Sequence, residues 1–250
     1  MTKPIQLRQR KSQGGAAKRR GDGPHIVYEY LRERILGMDL VAGRRIEERT
    51  VVEDLGLSRT PVRQAFMWMA AEGLIELLPN HGARVPPLDL EEVRSFLEAF
   101  EFMQLATARL ACKRRNGQDL EEIRRQRDAY EAAARARDVK ELIDTNEEFH
   151  LAIARAGHNG HMVRLIADLL VKALRLDGFW YDRPFDEGLD RSIERSLEEH
   201  RSLVQAIEDQ DIKGVEAATS EHVHSFRRPL VEYLCRSEAT ALDSVLSENG

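Results

Sequence analysis

The 250-residue sequence contains little cysteine, few aromatic residues and no long apolar run. Its two cysteines, Cys112 and Cys235, are too few for a disulfide framework and fit a reducing compartment. No run of 18 apolar residues is present, so the sequence predicts no membrane-spanning helix. The first 20 residues carry seven lysines or arginines but lack the apolar segment of a secretory signal. We therefore expect a cytoplasmic protein without a membrane partner.

Charge is distributed unevenly along the chain. Residues 1–85 contain 15 Lys and Arg against 10 Asp and Glu, whereas the remainder contains 23 against 33. A basic N-terminal part suits a polyanionic partner, and the acidic remainder would be repelled by DNA. Residues 1–24 are predicted to be a disordered basic arm, which either follows DNA nonspecifically or only aids solubility. Residues 236–250 are predicted to be a polar tail.

The run LGLSRTPVRQA, which begins at Leu55, is the most informative feature of the chain. Gly56 allows a sharp bend between two short helices, and Ser58 or Thr60 can cap the second of them. Pro61 is tolerated in the first turn of that helix because the N–H groups there have no intrahelical partner. The run therefore predicts a tight turn followed by a helix.

Arg59 and Arg63 lie four residues apart at the start of this predicted helix, so they project from one of its faces. A helix-turn-helix needs this arrangement to place donors on base edges and phosphates in a DNA major groove. The less specific interpretation is a basic, solvated helix start, which occurs in proteins of every kind.

The residues around this run favour the DNA-binding interpretation. Apolar spacing and turn residues predict three helices and two strands. The helices cover 26–36 and 47–55 and a third segment that ends at Gly73, and the strands cover 74–78 and 83–85. Residues 25–85 are therefore predicted to form a winged helix-turn-helix with a two-stranded wing.

The second half of the sequence has a different organisation. Pro86 and Pro87 cannot extend a helix, so residues 86–88 are predicted to be a short, stiff linker. Residues 89–235 then show an almost uninterrupted helical pattern without a β-rich run. The predicted helices cover 90–113, 119–137, 139–156, 161–176, 189–210 and 212–234. The fold is thus predicted to be mainly α, with a C-terminal antiparallel bundle of about six helices.

The candidate chemistry of the bundle lies in its histidines. Asn146 and His150 are four residues apart on one helix face, and His200 and His222 belong to the last two predicted helices. Three imidazoles and one amide oxygen suit a divalent metal ion such as zinc, nickel or manganese. The alternative is that each is an ordinary surface or hydrogen-bonded histidine, because spacing alone does not show that the three helices converge.

The N-terminal half resembles the DNA-binding domain of the GntR family of bacterial transcription regulators. The matching stretches are IEERTVVEDLGLSRTPVRQAF, AAEGLIELLPNHGARV and, more loosely, YEYLRERILGMDLVAGRRI. The resemblance implies a DNA-facing set made of Arg49, Ser58, Arg59, Thr60 and Arg63, with His81 and Gly82 at the wing tip. Arg59 and Arg49 would read bases. Met67 and Trp68 replace charged residues of the family and are expected to pack against the second domain rather than stack on bases.

The C-terminal half resembles the FadR-type effector domain, the FCD domain of one GntR subfamily. Its metal-binding members place an Asp or Asn four residues before a His and use two later histidines. The resemblance therefore implies that a metal is held by Asn146, His150, His200 and His222. A family arginine that often holds a ligand carboxylate is Phe100 here, which implies an effector that is bound differently or is less polar.

The resemblance and the composition together imply a homodimeric regulator that binds an inverted-repeat operator in double-stranded DNA and responds to a small molecule. Neutral Asn and imidazole ligands leave the metal's charge uncompensated, which favours an organic acid as effector. A regulator with a purely structural metal, or with no effector, stays open as an alternative.

An enzyme is the other class of function to weigh. Glu147 lies three residues before His150, as in half of a di-iron site in a helical bundle. The residues three positions before His200 and His222 are leucine and threonine, so the second half of such a site is missing. No nucleophile with a matching base and no glycine-rich phosphate loop stands out. The sequence therefore predicts a protein that is not an enzyme.

Overall fold

The computed structural model describes residues 22–36, 39–79, 82–87, 90–181, 187–227 and 230. The N-terminal elements are α1 (Gly23–Leu36), β1 (Arg45–Ile46), α2 (Glu48–Leu55), α3 (Arg59–Ala71), β2 (Glu76–Leu78) and β3 (Gly82–Arg84). The C-terminal elements are α4 (Leu90–Arg114), α5 (Gly117–Ala136), α6 (Val139–Ala156), α7 (Gly160–Tyr181), α8 (Glu187–Glu208) and α9 (212–227).

The N-terminal unit is built around a core that α1 and α3 share. Leu31, Phe66 and Met69 are fully buried in this core, and Leu74 and Ile75 close it after α3 ends. Burial of side chains of this size stabilises the fold by about 1.5–3 kcal/mol each. Apolar burial therefore fixes α3 on α1 and leaves the first turns of α3 on the outside.

The wing has three strands rather than the predicted two. The strand order is β1-β3-β2, and β1 pairs antiparallel with β3 through Arg45 opposite Arg84 and Ile46 opposite Ala83. A strand of two residues has no periodicity that a sequence can display. The structure forms β1 because its backbone groups find partners on β3.

The predicted mainly α fold with a winged helix-turn-helix and a helical bundle is confirmed. Several predicted boundaries are wrong by a few residues. Gly23 and Pro24 belong to α1 rather than to the basic arm, and Pro is tolerated in a first helical turn. Gly188 lies inside α8 rather than in a break. Residues 1–21 of the predicted arm and the predicted tail 236–250 lie outside the described residues.

Among the described residues from 90 onward, the bundle consists of six helices, α4–α9. This is the number that the sequence predicts. Local signals define some of the helix ends. Asn116 caps α5 in a reciprocal arrangement with Asp119, and Asp138 caps α6 by accepting from the Glu141 N–H group. None of the helices that the structure describes is both long and apolar enough to cross a membrane.

Candidate DNA interface and metal centre

The turn between α2 and α3 has the predicted geometry. Gly56 ends α2 in the left-handed conformation with φ of 62°, which a glycine adopts without steric cost. Ser58 occupies the N-cap position of α3 in extended conformation, and Pro61 lies in the first turn. The predicted cap bond is not made, since the Ser58 side chain accepts no hydrogen bond from the helix. Its hydroxyl is therefore free to bond elsewhere.

The predicted DNA-facing residues of α2 and α3 are exposed together: Arg49, Ser58, Arg59, Thr60 and Arg63. Arg63 donates through Nε to both carboxylate oxygens of Glu48, at 2.9 and 3.1 Å. Arg49, whose side chain is 81% exposed, pairs with Glu53 at 2.7 Å. Exposed pairs of this kind are screened by solvent and add little stability, so a phosphate can replace the carboxylate. Arg59 makes no ion pair within the described part of the chain.

Of the two predicted wing-tip residues, the structure describes Gly82. Gly82 has φ of 77° at the start of β3, and a β-carbon there would collide with the backbone carbonyl of Ile46. Gly82 is therefore required by the packing of β3 on β1, while its contact with DNA stays a prediction. His81 lies outside the described residues.

The expected packing of Met67 and Trp68 against the second domain is wrong for Met67, which is 56% exposed on α3. Trp68 lies against His25 of α1, with 5.0 Å between the ring centroids. Packing of Trp68 on the bundle stays a prediction.

The three predicted histidine ligands converge in the bundle. His150 lies on α6, His200 on α8 and His222 on α9, and one candidate ligand atom of each lies within 4.8 Å of the other two. The Nε2 atoms of His150 and His222 are 3.2 Å apart. This is the compact nitrogen set that a first-row divalent metal ion requires.

The burial of His150 and His200 is the strongest indication that the histidine set binds a ligand. His150 and His200 are 3% and 0% exposed. Nδ1 of His150 and both ring nitrogens of His200 are buried without a hydrogen-bond partner in the described structure. Buried polar atoms are normally paired, so such a cluster calls for a ligand. The donor chemistry therefore fits a metal ion.

The same burial sets the protonation state of the histidines. Loss of solvation lowers the pKa of His150 well below its ordinary value of 6.5, and the nearby charge of His222 lowers it further. The pKa of His200 is lowered well below 6.5 by burial first and then by the other two histidines. Both imidazoles are thus neutral near pH 7, which is the form that binds metal.

Glu199 is a functional residue that the sequence analysis missed. Its carboxylate is buried and accepts from His222 Nδ1 at 2.9 Å and from the Ser225 hydroxyl at 2.5 Å. A carboxylate on one ring nitrogen fixes the tautomer and directs the other nitrogen toward a metal. The only sequence signal is its position next to His200, although it serves the histidine of the neighbouring helix.

The remaining residues of the predicted set are arranged as follows. Asn146 is half-buried one turn before His150 on α6, and its role as a ligand stays a prediction. Phe100 is buried on α4 and packs against Phe226 of α9, with ring centroids 5.8 Å apart. Phe226 follows His222 by one helical turn, so this part of the bundle is apolar where the resemblance implies an arginine.

Comparison with known families identifies the chain. Residues 25–85 match the family described as bacterial regulatory proteins, gntR family, and residues 91–225 match the FCD domain. The chain belongs to the gntR family. It is a DNA-binding transcriptional regulator with an FCD domain, as the resemblance implied.

Individual relatives of this gntR-family regulator agree with the assignment. The chain is 29% identical to a probable D-xylose utilization operon transcriptional repressor of Paenarthrobacter nicotinovorans, over 80% of this chain and 85% of the relative. It is 27% identical to the Uxu operon transcriptional regulator of Escherichia coli, over 81% and 84%. These relatives are transcriptional regulators and not enzymes, which confirms that prediction.

A solved structure supports the fold. The E. coli protein McbR/YncC superimposes with a TM-score of 0.71 at 21% identity, covering 85% of this chain and 98% of that one. At this identity the likeness concerns the arrangement of the winged domain and the bundle, and it carries no information on the ligand.

Proposed function

We propose that this gntR-family regulator binds an inverted-repeat operator as a cytoplasmic homodimer, and that an organic acid bound at a metal centre in its FCD domain controls that binding. The observation that carries the proposal is the convergence of His150, His200 and His222, in which Nδ1 of His150 and both ring nitrogens of His200 are buried without a partner in the described structure. Asn146 is proposed as the fourth protein ligand.

The donor set favours some metals over others. Imidazole nitrogens suit zinc and nickel, whereas manganese prefers oxygen-rich sites. With Asn146 as the fourth protein ligand, a ligand from solution would occupy a fifth position, as catalytic zinc sites can expand to five ligands. We therefore propose zinc or nickel in preference to manganese.

The charge of the site supports an anionic effector. A divalent ion in neutral imidazoles carries two positive charges, and Glu199 beside His222 supplies one negative charge. One carboxylate group on the effector would complete the compensation in this buried environment. The apolar surroundings of Phe100 favour an acid whose remaining part is uncharged.

The proposal for DNA rests on exposure and charge. Arg59 begins α3 without an intramolecular ion pair in the described structure, and Ser58, Thr60 and Arg63 are exposed beside it. Helix N-termini favour phosphate, and guanidinium groups read guanine in the major groove. Because a two-fold symmetric dimer presents two such helices, the operator should be an inverted repeat.

A purely structural metal is the second candidate function of the site. One relative is named as a probable repressor of a D-xylose utilization operon, and this association with the use of a small molecule favours the effector over the structural alternative. The two functions differ in whether a small molecule changes operator affinity.

Metal titration tests the proposal directly. Protein stripped with a chelator is titrated with Zn²⁺, Ni²⁺ and Mn²⁺ by calorimetry, as wild type and as His150→Ala, His200→Ala and His224→Ala. His224 is an exposed neighbour of His222 on α9, so its variant is the matched control. We expect tight binding in wild type and in the control and loss in the other two. Equal binding by all four proteins would refute the metal centre.

The effector is tested next with a panel of mono- and dicarboxylates. DNA selected by the wild-type protein from a random duplex pool serves as the operator probe. We expect at least one acid to change the affinity of zinc-loaded protein for this probe. A metal that binds while no acid in the panel changes DNA affinity would favour the structural alternative.

A further inference from the structure

Arg32 connects the DNA-binding unit to the bundle. It lies on α1, and its side chain is only 9% exposed. NH1 donates to Asp144 Oδ1 at 2.7 Å and NH2 to Glu147 Oε2 at 3.4 Å, both on α6 of the bundle. Burial alone would lower the pKa of Arg32, but the charge and hydrogen bond of Asp144 outweigh it and raise the pKa. The guanidinium is therefore held as a cation between the two units.

Apolar contact accompanies this ion pair. Leu36, one turn after Arg32 on α1, packs with Ile143 and Val139 of α6 in a small cluster separate from both main cores. The α1 face that carries Arg32 and Leu36 thus holds α6. Because the Arg32 guanidinium is buried, removing its carboxylate partners would leave its charge uncompensated, and these contacts therefore hold α1 on α6.

Helix α6, which bonds Arg32, also carries His150 of the candidate metal centre. Glu147 lies one turn before His150, and Asn146 lies between Asp144 and Glu147 in sequence. A helix rises about 1.5 Å per residue and moves as a rigid body over a few turns. Any displacement or stiffening of α6 at His150 therefore reaches the carboxylates that hold Arg32.

The same face of α1 also contacts α3, the proposed recognition helix. Tyr28 lies one turn before Arg32, and its hydroxyl donates to Glu72 at 2.7 Å. Glu72 is the C-cap residue of α3, whose first residue is Arg59. The α1 helix therefore bonds the bundle with Arg32 and the end of the recognition helix with Tyr28.

We propose that Arg32 couples occupancy of the histidine centre on α6 to the placement of the recognition helix α3, by holding α1 against Asp144 and Glu147. This inference rests on the proposed metal centre and goes beyond it, because it names the residue through which the two sites are linked. Coupling between sites is reciprocal, so DNA bound at α3 must also change metal affinity through the same residue.

Hydrogen exchange on the full chain tests the coupling. Amide exchange is followed in α1 and α6 with and without Zn²⁺, in wild type, Arg32→Met and Asp144→Asn. Arg34→Met is the matched control, because Arg34 lies on the same helix and pairs with Asp39 and Asp54 of its own unit.

In wild type and Arg34→Met we expect zinc to slow exchange in both helices, by roughly fivefold or more in α1, the lower end of usual coupling strengths. In Arg32→Met and Asp144→Asn we expect α6 to remain protected by zinc while the effect on α1 falls below about twofold. Asp144→Asn keeps the shape of the site, so the test holds if Arg32→Met folds poorly.

Two failures are distinguishable. If zinc protects α6 in wild type but leaves α1 unchanged, or if α1 stays protected in both variants, the coupling through Arg32 is refuted and the metal centre stands. If zinc protects neither helix in wild type, the metal centre itself is refuted and the coupling falls with it.

Discussion

His150 and His222 are 72 positions apart in sequence, yet their Nε2 atoms lie 3.2 Å from each other. The two rings can share one hydrogen bond at this distance, but His200 beside them has no such partner in the described structure. A metal ion satisfies all three rings at once.

Replacing Glu199 should weaken metal binding without removing a ligand. In Glu199→Gln the side-chain amide occupies the same space. It carries no negative charge, however, and therefore orients His222 less firmly than the carboxylate does. Loss of such an outer partner usually lowers metal affinity by about 10–100-fold. Calorimetric zinc titration measures the change, with the exposed neighbour Glu198→Gln as control. Unchanged affinity in Glu199→Gln would show that His222 is positioned by packing alone.

The metal-free protein should lose stability as the pH falls below about 6.5. The folded pKa values of His150 and His200 are lowered, first by burial, so the unfolded chain takes up protons that the folded chain does not. The free energy of unfolding then decreases by about 1.4 kcal/mol per pH unit for each histidine. Urea unfolding at pH 7.5 and pH 5.5 measures this decrease.

The control for the pH experiment removes one of the two titrating groups. His200→Phe places another aromatic ring beside Phe149, whose ring centroid lies 4.2 Å from that of His200. We expect this variant to show about half of the wild-type pH dependence. A wild-type stability that stays constant between these pH values would mean that the buried rings accept protons as readily as exposed ones.

Chelator should destabilise the loaded protein. A ligand that binds only the folded state adds RT ln(1 + [L]/Kd), which is about 2.7 kcal/mol at one hundred times Kd. We therefore expect EDTA to lower the melting temperature of wild type and to leave that of His150→Ala unchanged. Differential scanning fluorimetry suffices. An identical shift in both proteins would mean that EDTA acts elsewhere.

Arg59→Ala should weaken binding to the selected operator by about 1–3 kcal/mol and relax the sequence preference at one position. The reason is that Arg59 is exposed at the first residue of α3 and free of ion pairs in the described structure. Fluorescence anisotropy with operator and scrambled duplexes measures both effects, with the exposed bundle residue Arg94→Ala as control. Equal losses on both duplexes would reduce Arg59 to a phosphate contact.

Local sequence determined those features of this regulator that depend only on residues close to one another along the chain. Gly56 permits a bend by its conformational freedom, and Pro61 favours a helix start by its fixed φ. Apolar spacing predicts α1–α9, apart from a few boundary residues. Asn146 and His150 share a helix face for the same reason. These features need no distant partner, so the sequence alone predicts them.

Tertiary structure decided everything that joins distant segments. Strand β1 exists because β3 offers backbone partners, Glu199 serves His222 rather than its neighbour His200, and Arg32 finds its charges on α6. Spacing along one helix says which side chains share a face, but packing between helices decides which faces meet. The convergence of the three histidines could therefore be suspected from the sequence, and only the bundle brings them together.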